Sequence, residues 1–180
     1  MILVRHGERC MMDEAKGLKQ RVIEWAIVLS CAMSIGCSEV KTEITIPATP
    51  TEVWKVLVDT KGYKDWNPTW RPKEGSLQQG AYIKYDYTQT GEEPIEMRFI
   101  VGKSERPARI EQSAGTSGLF TNEHLWLLEE VDEGTRVTQM EAFSGILVLF
   151  SDLAWVEEAY SRVNEGLKRE VIKRKSLDVP

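Results

Sequence analysis

The chain has 180 residues, the length of one domain with a terminal extension. Its hydrophobic content of 42% and charged content of 28% are those of a folded globular protein and exclude a disordered chain. The formal net charge of −5 argues against nucleic acid as a partner. The one dense basic run, residues 168–175, falls at the end of a predicted helix, where cations complement the helix dipole. The oligomeric state is left open.

Cysteine and histidine are scarce. The three cysteines, Cys10, Cys31 and Cys37, lie in the first 37 residues, so the rest of the chain has no disulfide and no thiolate metal ligand. The two histidines are His6 and His124, and we therefore expect no metal site. No phosphate-binding glycine loop or dinucleotide fingerprint occurs, so we expect no cofactor.

The beginning of the chain has the pattern of a secretory signal peptide. A short basic stretch, residues 16–21, precedes the apolar run 25–36, and Cys37 follows. The apolar run is shorter than the roughly 20 residues that a membrane-spanning helix needs.

The four residues Ser34-Ile-Gly-Cys37 resemble a bacterial lipobox, whose cysteine is lipidated and becomes the new N-terminus. We therefore predict an extension, residues 1–37, and a domain, residues 38–180. The resemblance implies a lipoprotein of the bacterial cell envelope that contacts the membrane through lipidated Cys37. The alternative is a cytoplasmic protein with an N-terminal helix.

A second motif in the extension, Ile2-Leu-Val-Arg-His-Gly-Glu8, resembles the opening strand of histidine phosphatases. In that family the histidine accepts the phosphoryl group, and the chemistry needs a second histidine and further arginines on a parallel α/β sheet. The pattern after residue 37 is antiparallel, so we do not adopt this interpretation.

The predicted elements of the domain begin with a strand, Val40–Ile46, in which apolar and polar residues alternate. Thr49-Pro-Thr-Glu52 then has the pattern of a capping box that starts a helix, with proline at its first position. A second helical turn, Tyr63–Trp66, ends before Pro68. Strand alternation continues to Ser144. Its runs are Gly80–Thr88, Ile95–Val101, Ala108–Ala114, Leu119–Glu130 and Thr135–Ser144.

The last predicted element is a helix of roughly 25 residues, in which apolar positions recur every three or four residues. These positions are Leu149, Leu153, Val156, Tyr160, Val163, Leu167 and Val171. The order of elements predicts an α+β fold: a curved antiparallel sheet of six to seven strands wraps the long C-terminal helix, with two short helices after the first strand. One helix cannot fill the whole concave face, so we expect a pocket between helix and sheet.

This order of elements, with four short motifs, resembles the SRPBCC superfamily, which includes START lipid carriers and polyketide cyclases and dehydratases. The motifs are Ile46-Pro-Ala-Thr-Pro-Thr-Glu-Val-Trp54, Trp66-Asn-Pro68, Gly134-Thr-Arg-Val137 and Phe143-Ser-Gly145. The resemblance implies the helix-grip fold with a cavity for a hydrophobic small molecule. It implies no single reaction, because function must be argued from the site.

The hairpin between the last two strands supplies the polar site candidates. If Glu130 pairs with Thr135 across the loop, His124 faces Glu141. Strand parity then directs five side chains towards the helix: Asn122, His124, Trp126, Gln139 and Glu141. A polar group buried there without a partner costs about 1–3 kcal/mol. His124 and Glu141 are therefore candidate catalytic residues, a base and its orienter; the alternative is a pair that fixes the register and lines the cavity.

Aromatic residues supply most of the other candidate ligand contacts, and the alternative for them is ordinary core packing. The candidates are Trp54, Trp66, Asn67, Trp70, Tyr85, Tyr87, Phe99, Phe120, Phe143 and Trp155. The resemblance places Trp66 at the pocket mouth, where it would act as a gate.

The sequence favours a binding protein over an enzyme: a carrier or sensor for a hydrophobic small molecule that is lipid-like or aromatic. The first alternative is a cyclase/dehydratase-type enzyme that uses His124 and Glu141. The second is a protein-interaction module, which would need an exposed apolar patch.

Overall fold

The computed structural model describes residues 36–89 and 92–177, so the predicted signal peptide lies outside the described residues. Seven antiparallel strands form one sheet, in the order β1-β7-β6-β5-β4-β3-β2. They are β1 (Cys37–Ile46), β2 (Trp70–Gly75), β3 (Tyr82–Tyr87), β4 (Ile95–Glu105), β5 (Arg109–Thr116), β6 (Phe120–Val131) and β7 (Gly134–Ser144).

The helices follow the predicted order. They are α1 (Pro50–Leu57), the 3₁₀ turn Thr60–Gly62, α2 (Tyr63–Trp66), the 3₁₀ turn Ile146–Phe150 and α3 (Ala154–Leu177). The predicted fold class, a helix-grip α+β fold, is confirmed. No helix in the described part of the chain is long and apolar enough to cross a membrane.

Helix α1 begins where the sequence predicts it. The Thr49 hydroxyl accepts a hydrogen bond from the Glu52 amide at 3.3 Å, and the Thr49 amide donates to the Glu52 carboxylate at 2.7 Å. These two bonds complete a capping box, which satisfies amides that have no partner inside the helix.

Helix α3 buries its apolar stripe against the sheet, and Val156, Tyr160 and Val163 are all buried. It begins later than the stripe predicts, because residues 146–150 form a 3₁₀ turn and Leu149 is 52% exposed. The Asp152 side chain accepts a hydrogen bond from the Ala154 amide at 3.0 Å, which starts the helix there.

The register between β6 and β7 is the predicted one: Glu130 pairs with Thr135, and His124 pairs with Glu141. Strand β2 was not predicted as a separate strand. It contains Pro72 and lies at the edge of the sheet, the position where a strand tolerates proline.

Candidate functional site

A closed cavity lies between α2 and the concave face of the sheet. Its lining residues are Tyr63, Asn67, Trp70, Tyr85, Phe99, Gln112, His124 and Trp126. The space open to the centre of a water molecule is about 10 Å³, room for about one water. No residue of α3 lines this cavity, so the predicted pocket between the C-terminal helix and the sheet stays a prediction, and a ligand larger than a water requires the cavity walls to move apart.

Trp70 is the centre of the aromatic wall. Its ring lies 4.7 Å from Tyr87 and 5.6 Å from Phe99, measured between ring centroids. The buried Asn67 side chain fixes the turn before it, because Asn67 Oδ1 accepts hydrogen bonds from the Thr69 amide at 3.0 Å and the Trp70 amide at 2.8 Å. Asparagine is suited to this role because its side chain reaches the backbone two residues ahead. The Asn67 turn thus presents Trp70 to the cavity.

His124 is held by two glutamines. Gln112 Nε2 lies 3.4 Å from His124 Nδ1, and the Gln139 amide lies 3.0 Å from His124 Nε2. The Tyr85 hydroxyl donates to Gln112 Oε1 at 2.9 Å. Burial lowers the pKa of His124 to about 3, so the ring is neutral at physiological pH. A neutral imidazole has one acceptor nitrogen, so only one of the two glutamine Nε2 groups donates a hydrogen bond to the ring.

Glu141 has a partner on α3 in addition to Asn122 on β6. The Tyr160 hydroxyl donates a hydrogen bond to Glu141 Oε2, and Glu141 is 1% exposed. Burial raises the pKa of Glu141 to about 7, against the opposing effects of hydrogen bonds with Tyr160 and Asn122. The carboxyl is therefore divided between its protonated and ionised forms near neutral pH.

The two predicted catalytic residues belong to separate hydrogen-bonded groups. His124 and Glu141 are cross-strand partners and both are buried. Among the described residues, no hydrogen bond joins their side chains, and the His124 ring lies 5.5 Å from the Tyr160 ring. Their catalytic roles stay a prediction.

Most buried polar atoms that lack a hydrogen bond lie in the predicted site. Among the described residues nine such side-chain atoms occur, and seven belong to predicted site residues. The seven are Trp66 Nε1, Asn67 Nδ2, Trp70 Nε1, Tyr87 Oη, Asn122 Oδ1, Gln139 Oε1 and Glu141 Oε1. An unpaired buried polar group costs about 1–3 kcal/mol, and two of these atoms, Asn67 Nδ2 and Trp70 Nε1, belong to residues that line the cavity and are available to a polar ligand group.

The model of the family described as "Polyketide cyclase / dehydrase and lipid transport" matches residues 38–171. The chain belongs to this family. The sequence-based assignment to the SRPBCC superfamily is thereby confirmed. No curated protein matches the sequence.

Solved structures agree with the family's fold. A protein from Thermus thermophilus is 20% identical, with a TM-score of 0.61 over 76% of this chain and 99% of that one. A protein from Nitrosomonas europaea is 12% identical, with a TM-score of 0.61 over 77% of this chain and 96% of that one. A Staphylococcus aureus protein described as of unknown function is 13% identical, with a TM-score of 0.54 over 79% of this chain and 97% of that one. At these identities the likeness shows the fold alone.

The predicted contact residues of this family member are distributed around the cavity. Six of them line it: Asn67, Trp70, Tyr85, Phe99, His124 and Trp126. Trp155 packs on Tyr87, with 5.4 Å between ring centroids, and Phe120 packs on Phe143 at 5.9 Å. Trp54 is buried in the hydrophobic core and is not among the lining residues.

Trp66 lies at the outside of the site. Its ring packs on Tyr63 with 4.7 Å between centroids, and it lines a surface groove of about 640 Å³ between α2 and α3. The groove also includes Asn67, which lines the closed cavity as well. The gate role of Trp66 stays a prediction.

Three residues of the site were not predicted as such: Tyr63, Gln112 and Tyr160. Gln112 lies two residues after buried Ile110 on β5, and this spacing, which places both side chains on the buried face, was the signal available in the sequence. Tyr160 was predicted as part of the apolar stripe, which does not reveal that its hydroxyl reaches Glu141. Among the described residues no group of three or more His, Cys, Asp or Glu side chains is arranged to hold a metal ion.

Proposed function

We propose that the domain binds a small molecule with an apolar body in the space between α2 and the concave face of the sheet, and that it acts as a carrier or sensor. The observation that carries this proposal is the group of buried polar atoms without hydrogen bonds beside an aromatic wall. A ligand with polar groups at its edge pairs with these atoms and buries its body against the rings.

The electrostatics favour a neutral ligand. None of the side chains that line the cavity carries a charge at neutral pH, since His124 is neutral there. A fatty-acid carboxylate has no cationic partner on this wall, and an unpaired buried charge is costly. A carbonyl group matches two unpaired donors of the lining residues, Asn67 Nδ2 and Trp70 Nε1. A quinone or a polyketide-like aromatic compound therefore suits the site better than a free fatty acid.

The first experiment is gentle native mass spectrometry of the chain purified from cells, followed by melting curves with menadione and palmitate. We expect a co-purifying neutral aromatic or quinone mass, and a rise in melting temperature with menadione that exceeds the rise with palmitate. An empty protein that neither compound stabilises contradicts the proposal.

A second candidate function is catalysis, and the protonation state of Glu141 favours it. A carboxyl with a pKa of about 7 beside the Tyr160 hydroxyl has the properties of a general acid–base pair at neutral pH. With the co-purified compound as substrate, an enzyme loses turnover in Glu141→Gln and His124→Ala and still binds. A carrier shows no turnover, and His124→Ala keeps most of its affinity.

We also infer that the domain is tethered to a bacterial membrane through a lipid on Cys37. Cys37 is exposed and is the first residue of β1, so cleavage before it leaves every strand whole. Mass spectrometry of the N-terminal peptide from membrane fractions is expected to find diacylglyceryl-Cys37, and Cys37→Ser removes the modification. An unmodified chain in the cytoplasmic fraction contradicts the tether.

A further inference from the structure

Five apolar side chains form an exposed surface at one end of the domain, named here the end patch. Phe150 is 81% exposed, and the other members are exposed by about half. The members are Leu119, Ile146, Leu147, Leu149 and Phe150. Contiguous exposed apolar surface of this kind marks an interaction site more often than isolated apolar residues do.

Backbone hydrogen bonds hold the end patch together. The amides of Ile146 and Leu147 donate to the carbonyls of Gly118 and Leu119 at 3.2 and 3.0 Å. These bonds join the 3₁₀ turn before α3 to the loop between β5 and β6. The patch is thus one preformed surface built from two segments.

The N-terminal end of β1 lies against the same surface. The Gly145 amide donates to the Gly36 carbonyl at 3.1 Å, and Cys37 pairs with Ser144. A Cβ atom on Gly36 would lie 2.3 Å from the Gly145 carbonyl oxygen and 3.5 Å from Val148 Cβ, which shows how closely the segments approach. A tether that leaves the domain at Cys37 therefore leaves it beside the end patch.

The segments that form the patch carry no charge. Residues 115–121 and 144–151 contain no Asp, Glu, Lys or Arg, in a chain with 28% charged residues. An uncharged apolar surface enters the interfacial region of a bilayer without desolvating any charge.

We propose that the end patch docks onto the surface of a lipid bilayer, with Phe150 and Leu149 inserted among the acyl chains. This inference rests on the proposed tether at Cys37, because the tether fixes which end of the domain meets the membrane. The lipid on Cys37 holds the chain at the membrane, and docking of the end patch fixes the orientation of the domain there. Docking also orients the beginning of α3, where Trp155 packs on Tyr87, towards the bilayer.

The test places a reporter in the patch and a matched reporter elsewhere. Phe150→Trp puts an indole in the end patch, and Leu177→Trp puts one at the far end of α3, where Leu177 is 75% exposed. The lipidated full chain is incorporated into phosphatidylcholine vesicles whose acyl chains are brominated, and its emission is compared with that of the wild type. We expect bromine to quench most of the extra emission of Phe150→Trp and to leave that of Leu177→Trp unchanged.

Separate readouts distinguish failure of the patch from failure of the tether. Vesicle flotation reports attachment of the chain, and bromine quenching reports the position of residue 150. A chain that floats while both reporters stay unquenched keeps the tether and overturns the docking proposal. Equal quenching of both reporters also overturns it, as does burial of residue 150 in a dimer or with a protein partner in the absence of vesicles. A chain that neither floats nor shows quenching overturns both.

An affinity measurement gives a second line of evidence. In the Cys37→Ser chain, which lacks the lipid, Leu149→Asp with Phe150→Asp is expected to weaken vesicle binding about tenfold or more, because two apolar side chains no longer enter the bilayer. The control pair, Ile172→Asp with Leu177→Asp, also replaces exposed aliphatic residues, at the far end of α3, and is expected to bind as the Cys37→Ser chain does. Equal losses in the two pairs contradict a specific docking surface.

Discussion

Tyr85 and Tyr87 lie two residues apart on β3 and point into the same interior, yet their hydroxyls have different surroundings. The Tyr85 hydroxyl donates to Gln112, whereas the buried Tyr87 hydroxyl has no hydrogen bond. The sequence pattern does not distinguish the two tyrosines, since a spacing of two places both on the same face of the strand. Only the positions of neighbouring strands and of α3 make one hydroxyl satisfied and the other available.

Removal of each hydroxyl is expected to change stability differently. Tyr85→Phe leaves the Gln112 oxygen without its donor and is expected to lower the free energy of unfolding by about 1 kcal/mol. Tyr87→Phe removes an unpaired hydroxyl and is expected to leave that free energy unchanged or to raise it. Urea denaturation of both variants makes the comparison. Equal losses would show that the Tyr87 hydroxyl has a partner within the protein.

Burial shifts the pKa values of His124 and Glu141 in opposite directions, so the two residues have opposite effects on how stability depends on pH. Burial lowers the pKa of His124 from 6.5 to about 3, so its contribution to stability is lost as pH falls below 6.5. Burial raises the pKa of Glu141 from 4.5 to about 7, so its contribution is lost as pH rises from 4.5 towards 7. Between pH 4.5 and 6.5 the folded and unfolded states hold equal numbers of protons on this pair, and the two effects cancel.

Single variants are expected to expose each effect. In that pH window Glu141→Gln gains stability with rising pH, and His124→Gln loses stability with rising pH, each by about 1.4 kcal/mol per unit for one proton. The wild type is expected to have a slope between those of the two variants. Unfolding free energies from urea titrations at several pH values measure the slopes. If the wild type and both variants show the same slope of unfolding free energy against pH, the shifted pKa values of these two residues are contradicted.

At the scale of elements, α2 and α3 meet at a glycine. A Cβ atom on Gly166 would lie 2.0 Å from the Trp66 carbonyl oxygen, a distance that no side chain can occupy. The contact joins the outer side of the cavity to the long helix. A salt bridge between Arg174 and Asp59, with 2.9 Å between Nη1 and Oδ2, links the far end of α3 to the 3₁₀ turn before α2.

Gly166→Ala is expected to force α2 and α3 apart and to cost about 1–3 kcal/mol of stability. The loss occurs although alanine favours a helix over glycine by about 1 kcal/mol. Gly102→Ala is the control, because the nearest atom to its added Cβ lies 3.9 Å away. Chemical denaturation compares the two, and a stabilised Gly166→Ala variant would refute the close contact.

The register of β6 and β7 was predictable because a short hairpin loop and one apolar face leave few alternatives. Strand β2 was not predictable, because apolar and polar residues do not alternate in its sequence, which includes Pro72 and several charged residues. It forms a strand because it pairs with β3. The start of α3 was misplaced because residues 146–150 continue its apolar spacing. The tertiary contacts with Gly118 and Leu119 hold that segment in a separate turn.

At the scale of the whole molecule, the closed cavity determines how a ligand enters. Drug-sized ligands occupy pockets of about 300–1,000 Å³, which is far more than the 10 Å³ observed. Binding therefore requires an opening motion before or during entry. We expect this motion where α2 contacts α3, because Asn67 lines both the cavity and the surface groove there.

Opening before binding predicts a ceiling on the association rate. In stopped-flow experiments that follow the fluorescence of Trp70 and Trp126, the observed rate is expected to level off as the menadione concentration rises. Gly166→Ala separates α2 from α3 and is expected to raise that ceiling, whereas Gly102→Ala is expected to leave it unchanged. A rate that increases linearly to the highest concentration would show that the cavity is open in solution.

The sequence by itself determined the fold class, the superfamily and the inward face of the β6–β7 hairpin, because periodicity and short motifs are local properties. It also brought six of the eight cavity-lining residues into the candidate set. Only the tertiary structure decided that His124 contacts two glutamines while Glu141 contacts Tyr160, and that the interior is closed. These contacts join β3, β5, β6, β7 and α3, which are distant from one another in the chain. Such contacts depend on how the sheet curves around the helix, which local sequence patterns do not specify.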